Sequence, residues 1–218
     1  MKEIFLLDAY PRIKRPIADR ISPDIEEHRK IARRFDREFF DGDRKNGYGG
    51  FRYDGRWKPV VKRFIEYYRL TRASSILDIG CAKGFMLRDF MEALPGVRVA
   101  GVDVSPYAIE HAESCVKPFV QVANAIELPY PDRSFDLVIS INVVHNLNLE
   151  LCKQALREMM RVAKHSQYVQ VDSYRNAEEE RNLRNWYLTA ELIFGTEAWE
   201  KIFREAGYDG DYSWTIIE

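Results

Sequence analysis

The 218-residue sequence contains no long hydrophobic run. Its one apolar stretch near the N-terminus, Ile4 to Leu7, is closed by Asp8, which is too short for a signal-peptide core or for a membrane span of about 20 residues. Neither sign of charge is in excess: 33 Lys and Arg against 34 Asp and Glu leave a formal net charge of −1. Nothing global therefore argues for nucleic acid or an anionic membrane as partner. A basic stretch runs from Arg12 to Arg34, but acids are interspersed in it, and it reads as solvated helix faces. The three cysteines, Cys81, Cys115 and Cys152, show neither metal spacing nor a disulfide framework, which fits a reducing cytoplasmic setting without a metal. There is no internal repeat and no low-complexity tract.

Glycine is also sparse outside one place. Five of the twelve glycines fall between Gly42 and Gly55, in a stretch, NGYGGFRYDGRW (46–57), that adds Tyr48, Phe51, Tyr53 and Trp57 to Arg52 and Arg56. Such a segment makes a poor helix and a poor strand interior.

Hydrophobic content of 46% and charged content of 31% are ordinary for a globular chain with one sizeable core. Residues 1–21 read as an extended arm with two prolines. Ser22-Pro23-Asp24 reads as a helix start, with a hydroxyl cap, proline at the first helical position and acid in the first turn, and the helix is expected to run to Phe40. A second helix is expected from about Trp57–Pro59, where Val60, Val61, Phe64, Ile65 and Tyr68 recur at helical spacing. From Ser75 onward apolar strands at 75–80, 97–104, 118–124, 135–141 and 167–174 alternate with helical stretches at 83–94, 105–114 and 149–163, followed by helix over about 176–193 and 196–206 and a last strand near 212–217. Near-continuous apolar strands alternating with helices imply a parallel sheet covered on both faces.

Ligands bind such sheets at the carboxyl ends of the strands, at a topological switch point. The first strand ends in DIGCAKGF (78–85), where Gly80 and Gly84 suit close backbone approach and the next helix offers free N–H groups. A P-loop is excluded because the run lacks G-K-[ST], and a dinucleotide fingerprint because position 82 is alanine. Asp103 closes the second strand 23 residues after Gly80, where an acid accepts bonds from ribose hydroxyls.

ILDIGCAKGF, then GVDVS, then ANAIELPYPDRSFDLVIS together resemble the class I S-adenosylmethionine (SAM)-dependent methyltransferases, over about residues 73–172. The resemblance implies an α/β, three-layer Rossmann-like methyltransferase fold. Its mainly parallel sheet would have six or seven strands with helices on both faces. Residues 73–218 would form the SAM-binding core, and residues 1–72 a helical and loop cover of the same domain. Asp78, Gly80, Cys81 and Gly84 would line the methionine end of SAM, Asp103 the ribose, Val104, Asn124 and Ala125 the adenine, and Ser140 the methionine side. Ala82 departs from the family's middle glycine and is tolerable with φ below zero. The family's closing two-strand hairpin is reduced here to one strand.

The implied activity is methyl transfer to a small polar metabolite. His145, Asn142 and Tyr53 are the catalytic candidates, His145 either as general base or as a residue that orients substrate or caps a helix. Tyr48, Arg52, Arg56, Trp57, Tyr174 and Arg175 are the substrate candidates, with 46–57 read either as a mobile aromatic lid over the sulfonium or as a surface loop whose aromatics pack under it. Asp172 reads either as a substrate contact or as the start of the next helix. The same cofactor site would also suit cleavage or cyclisation of SAM's aminobutyrate arm, RNA or protein methylation, or a noncatalytic SAM-binding subunit. The charge balance weighs against nucleic acid, no membrane partner is expected, and the oligomeric state is open.

Overall fold

The computed structural model describes residues 1–11, 15–49 and 52–218; Arg12, Lys14, Gly50 and Phe51 lie outside the described residues. Seven parallel strands form one sheet: β1 (Lys2–Glu3), β2 (Ser75–Ile79), β3 (Arg98–Asp103), β4 (Val120–Val122), β5 (Phe135–Ile141), β6 (Ala163–Ser173) and β7 (Asp211–Ile216), in the order β1-β7-β6-β5-β2-β3-β4. The chain runs outward from β2 through β3 to β4, then returns to β5 on the other side of β2. The switch point is therefore between β2 and β5, at the motif.

The seventh strand comes from the N-terminus. Lys2 and Glu3 pair in parallel with Asp211 and Tyr212, so the expected arm instead supplies an edge of the sheet. Two polar residues carry no strand periodicity, which is why the sequence does not announce it.

Strand residues alternate between two cores, as the pleat requires. Ile76, Ile139 and Tyr168 face a core shared with α3 (Lys58–Tyr68), α4 (Phe85–Ala93) and the N-terminal Ile4 and Leu6. Leu77, Val138, Val169 and Val171 face the opposite core, closed by α6 (Leu149–Val162) and α8 (Thr196–Ala206) through Leu156, Met159, Trp199 and Phe203. The result is a three-layer sandwich. No helix among the described residues is long and apolar enough to cross a membrane.

Two expected helices are shorter than their periodicity suggests. The stretch expected to run from Ser22 to Phe40 is split into α1 (Ile25–Ala32) and α2 (Arg37–Phe40). Phe35 lies at φ 49°, and Asp36 starts α2 by accepting the Glu38 N–H at 2.9 Å. Ser22 does not cap α1; its hydroxyl accepts the Asp24 N–H at 3.1 Å. The helix expected over 176–193 is α7 (Ala177–Trp186) and stops there, because the Leu188 N–H is taken by the Tyr48 hydroxyl at 2.7 Å. A short helix α5 (Pro106–Glu110) follows β3, with Ser105 capping it through the Ala108 N–H.

Candidate active site

The turn joining β2 to α4 holds three residues with positive φ: Gly80 (75°), Ala82 (50°) and Gly84 (77°). A Cβ on Gly80 would lie 2.1 Å from Val143 Cγ2, and one on Gly84 2.5 Å from Val116 Cγ2, so both positions demand glycine. Ala82 takes left-handed backbone, not the negative φ expected for it. An L-residue there costs about 1–2 kcal/mol. One fixed bond opposes that cost: the Ala82 N–H donates to Asp103 Oδ2 at 2.8 Å. The Gly80 and Cys81 N–H groups donate to the Val102 carbonyl at 2.7 and 3.0 Å, which ties the turn to β3.

Asp78 and Asp103 end β2 and β3 at this edge, 7% and 8% exposed. Neither forms an ion pair among the described residues. Asp103 is held by backbone donors, with Ser105 N–H on Oδ1 at 2.8 Å and Ala82 N–H on Oδ2. Burial raises its pKa, and these bonds lower it again. Asp78 is pushed up to about 7, by burial first and by the Asp103 charge second. The nearby Lys83 ammonium is committed to Asp41 at 2.7 Å. Cys81 packs its sulfur beside Gly101, and burial raises its pKa and keeps it a neutral thiol.

On the other flank of Asp103, Val104 is 52% exposed at the end of β3. Asn124 turns its side-chain oxygen onto the Ile126 N–H at 3.2 Å, and Ala125 is buried beside it. At the end of β5, Ser140 is fully buried, with a hydroxyl that has no hydrogen-bond partner among the described residues. Asn142 is exposed at φ 58° and accepts the Thr215 hydroxyl at 3.0 Å. Left-handed backbone at both Ala82 and Asn142 is the kind of local strain that collects at functional edges.

His145 follows in a short 3-10 turn, 2% exposed. Its Nδ1 accepts the Asp172 backbone N–H at 3.0 Å, so the ring proton sits on Nε2, which lies 3.7 Å from Asp172 Oδ2. Burial lowers the His145 pKa, with Asp172 opposing, and the ring is neutral with no free lone pair. The Asp172 side chain ends β6, 6% exposed, and accepts no hydrogen bond from a described residue. Burial raises its pKa, against His145 and Arg15. Its charge is also felt by the Tyr48 phenol, whose pKa burial raises first and Asp172 second. Asp172 is the residue that sequence reasoning weighed but did not select. The available signal was an acid closing an otherwise apolar strand, VQVDS.

The glycine-aromatic stretch divides. Residues 46–49 border this edge through Tyr48, which meets Leu188 and Thr189. Residues 52–57 pack elsewhere. The Tyr53 hydroxyl donates to Asp89 of α4 at 2.6 Å beneath the Arg88 guanidinium, Arg56 pairs with Asp54, and Trp57 meets Tyr10 edge-on at 4.7 Å. Arg52 is exposed. Tyr174 bridges to Gly195, and Arg175 pairs with Glu179 at 2.7 Å. The structure thus brings together Asp78, Gly80, Gly84, Asp103, Val104 and Asn124 along the edge, with Asn142, His145 and Tyr48 beyond β5. It commits Tyr53, Arg56, Trp57 and Arg175 to protein partners.

Residues 77–171 match the model of a methyltransferase domain family. Among similar proteins are a tRNA (carboxymethyluridine(34)-5-O)-methyltransferase of Arabidopsis thaliana, 33% identical over 59% of this chain and 30% of that protein, and a demethylmenaquinone methyltransferase of Symbiobacterium thermophilum, 31% identical over 38% and 36%. The chain spans well under half the length of these relatives. In fold it is similar to a SAM-dependent methyltransferase from Archaeoglobus fulgidus, at 24% identity and a TM-score of 0.55, over 78% of this chain and 72% of that one. Taken with the parallel sheet and the three motifs on its carboxyl edge, the domain match shows that residues 77–171 of this chain form a methyltransferase domain of Rossmann-like fold.

Proposed function

We propose that this chain binds SAM across the turn 80–84 and transfers its methyl group to a small polar acceptor held between the sheet edge and residues 46–49. The observation that carries the reading is the pair of buried carboxylates, Asp78 and Asp103, with no cationic partner among the described residues. Two such charges are costly to bury alone. They suit a ligand that brings an ammonium and a sulfonium cation together with two ribose hydroxyls. SAM, when bound, supplies an electrophilic methyl group whose bond to sulfur breaks with the electron pair left on sulfur.

The chain's own residues then have separable tasks. Asp78 faces the cationic methionine end, with the backbone of Gly80, Cys81 and Gly84 and the Ser140 hydroxyl lining it. Asp103 accepts from the ribose, while Val104, Asn124 and Ala125 flank the adenine. A hydroxyl or amine acceptor must lose one proton, and the group with lone pairs to take it is the Asp172 carboxylate. His145, whose Nδ1 is occupied, fixes Asp172 as a positioning residue. This reassigns the base expected at His145 to its neighbour, and Asn142 remains a candidate contact to the acceptor.

A tRNA acceptor is the second reading, favoured by the activity named for the Arabidopsis relative and opposed by the even charge balance. Methyl-labelled SAM offered with a panel of hydroxylated and amine metabolites, and separately with bulk tRNA, tests both. The proposal expects label in a small acceptor with S-adenosylhomocysteine as co-product. Label in tRNA alone replaces it with the second reading. Methylthioadenosine without a methylated product refutes methyl transfer.

A further inference from the structure

The 3-10 turn Ile17–Arg20, the start of α1 and the end of α7 line an open cavity of about 210 Å³, far more room than one water needs. Its polar lining is Arg20, Arg29, Arg184, Ser22 and Asn185, beside two isoleucines, with no acidic residue among the described residues that line it. Arg29 and Arg184 carry their own counter-ions, Glu26 and Glu180.

Arg20 does not. It is 7% exposed, with its guanidinium carbon 4.3 Å from the Trp186 ring centre and 5.1 Å from that of Tyr48. Nη2 donates to the Gly47 carbonyl at 2.8 Å, while Nε and Nη1 are buried with no hydrogen-bond partner among the described residues. No carboxylate pairs with it among the described residues. Arg44, 5.7 Å from the same Trp186 ring, bonds the Gly47 carbonyl at 2.6 Å and likewise has no ion pair among them. In the adjoining hollow, His28 is bonded to Asn46 and Asp19 is exposed.

Aromatic faces and one carbonyl compensate a buried guanidinium only in part. Burial holds the Arg20 pKa down to about 10, so it stays charged at neutral pH. An orphaned buried donor asks for a reason, and guanidinium forks match the oxygens of carboxylate and phosphate. The geometry points to an anion-binding site in this cavity, bordering the 46–49 segment through Gly47 and Tyr48, that takes the phosphate or carboxylate group of a small organic ligand.

The test uses inorganic phosphate on the full chain, with chloride at equal ionic strength as control. Phosphate raises the wild-type melting temperature saturably and changes tryptophan emission through Trp186. Arg20→Gln melts higher without phosphate, because it removes an uncompensated charge, and does not respond to phosphate. Arg184→Gln, at an exposed side chain, keeps the core intact and weakens the phosphate response. It provides the test should Arg20→Gln fail to fold. Glycerol phosphate separates the two sources of the anion. Binding about tenfold tighter than inorganic phosphate, or about 1.4 kcal/mol, assigns the site to the tail of a larger ligand, and equal binding assigns it to the free ion. No saturable wild-type response, or the same response in all three proteins, overturns the site.

Discussion

Asp78→Asn should make the free protein more stable and the cofactor site useless. Asp78 is 7% exposed at the end of β2, and its pKa is raised from 3.8 to about 7, by burial first and the Asp103 charge second. An acid with a raised folded pKa holds its proton more tightly in the folded chain than in the unfolded one. Its contribution is therefore undiminished below about pH 4, falls as pH rises from about 4 to about 7, and above that leaves the fold weaker by up to roughly 4 kcal/mol, at 1.36 kcal/mol per unit. Asparagine removes the charge but brings an amide to satisfy, at about 1–3 kcal/mol. The net gain at pH 8 is about 1–3 kcal/mol, or roughly 2–12 °C in melting temperature for a chain of this size. The assay is a melt of both proteins from pH 4 to pH 8, with and without SAM. The variant should lead at pH 8, the order should reverse by about pH 4, where the charge penalty is gone and the amide cost remains, and SAM should stabilise only the wild type. A variant less stable at pH 8, or a wild type whose stability is flat from pH 4 to 7, refutes the reasoning.

Asp172→Asn should lower kcat by about 10²–10⁴-fold, the range of a lost general base, with SAM affinity unchanged by calorimetry. His145→Gln should cost far less and keep the acid limb of the pH profile, set by a carboxylate whose pKa burial has raised; loss of that limb in His145→Gln alone would return the base to histidine. Ala82→Gly should stabilise the fold by up to about 1.5 kcal/mol in urea melts, the relief of left-handed strain less the entropy glycine adds to the unfolded chain, and a loss of stability would remove the strain argument. Amide exchange at residues 46–49 should slow when SAM binds, while 53–57, anchored on α4 and Tyr10, should stay as they were; equal slowing along the whole stretch would restore a single lid.

The legible part of this protein was the part whose pattern is local. Apolar strands closed by Gly80, Asp103 and Ser140 announce both a parallel sheet and its ligand edge, because strand, turn and site chemistry there share the same few residues. What failed to show depends on distant neighbours. α7 does not continue past Tyr187 because the Leu188 N–H is taken by Tyr48, 140 positions earlier. Lys2 and Glu3 become a strand only because β7 offers an edge. The neutral His145 ring follows from a backbone N–H 27 residues away, which no spacing in SINVVHNL encodes. The division of 46–57 has a related reason. Glycine content reports backbone freedom, but the partners of Tyr48 and Tyr53 lie on different elements, and Phe51 lies outside the described residues.

The central claim is that the edge between β2 and β3 is a SAM site, and calorimetric titration of SAM into the wild type and Asp103→Ala tests it most directly. The two ribose hydroxyls would lose a charged acceptor at roughly 1.5–3 kcal/mol per bond, so the account predicts saturable one-to-one binding to the wild type. It predicts binding at least about 100-fold weaker, some 2.7 kcal/mol, to a variant whose circular dichroism is unchanged. Binding of SAM with the same affinity to both proteins, or no binding to the wild type, would contradict it.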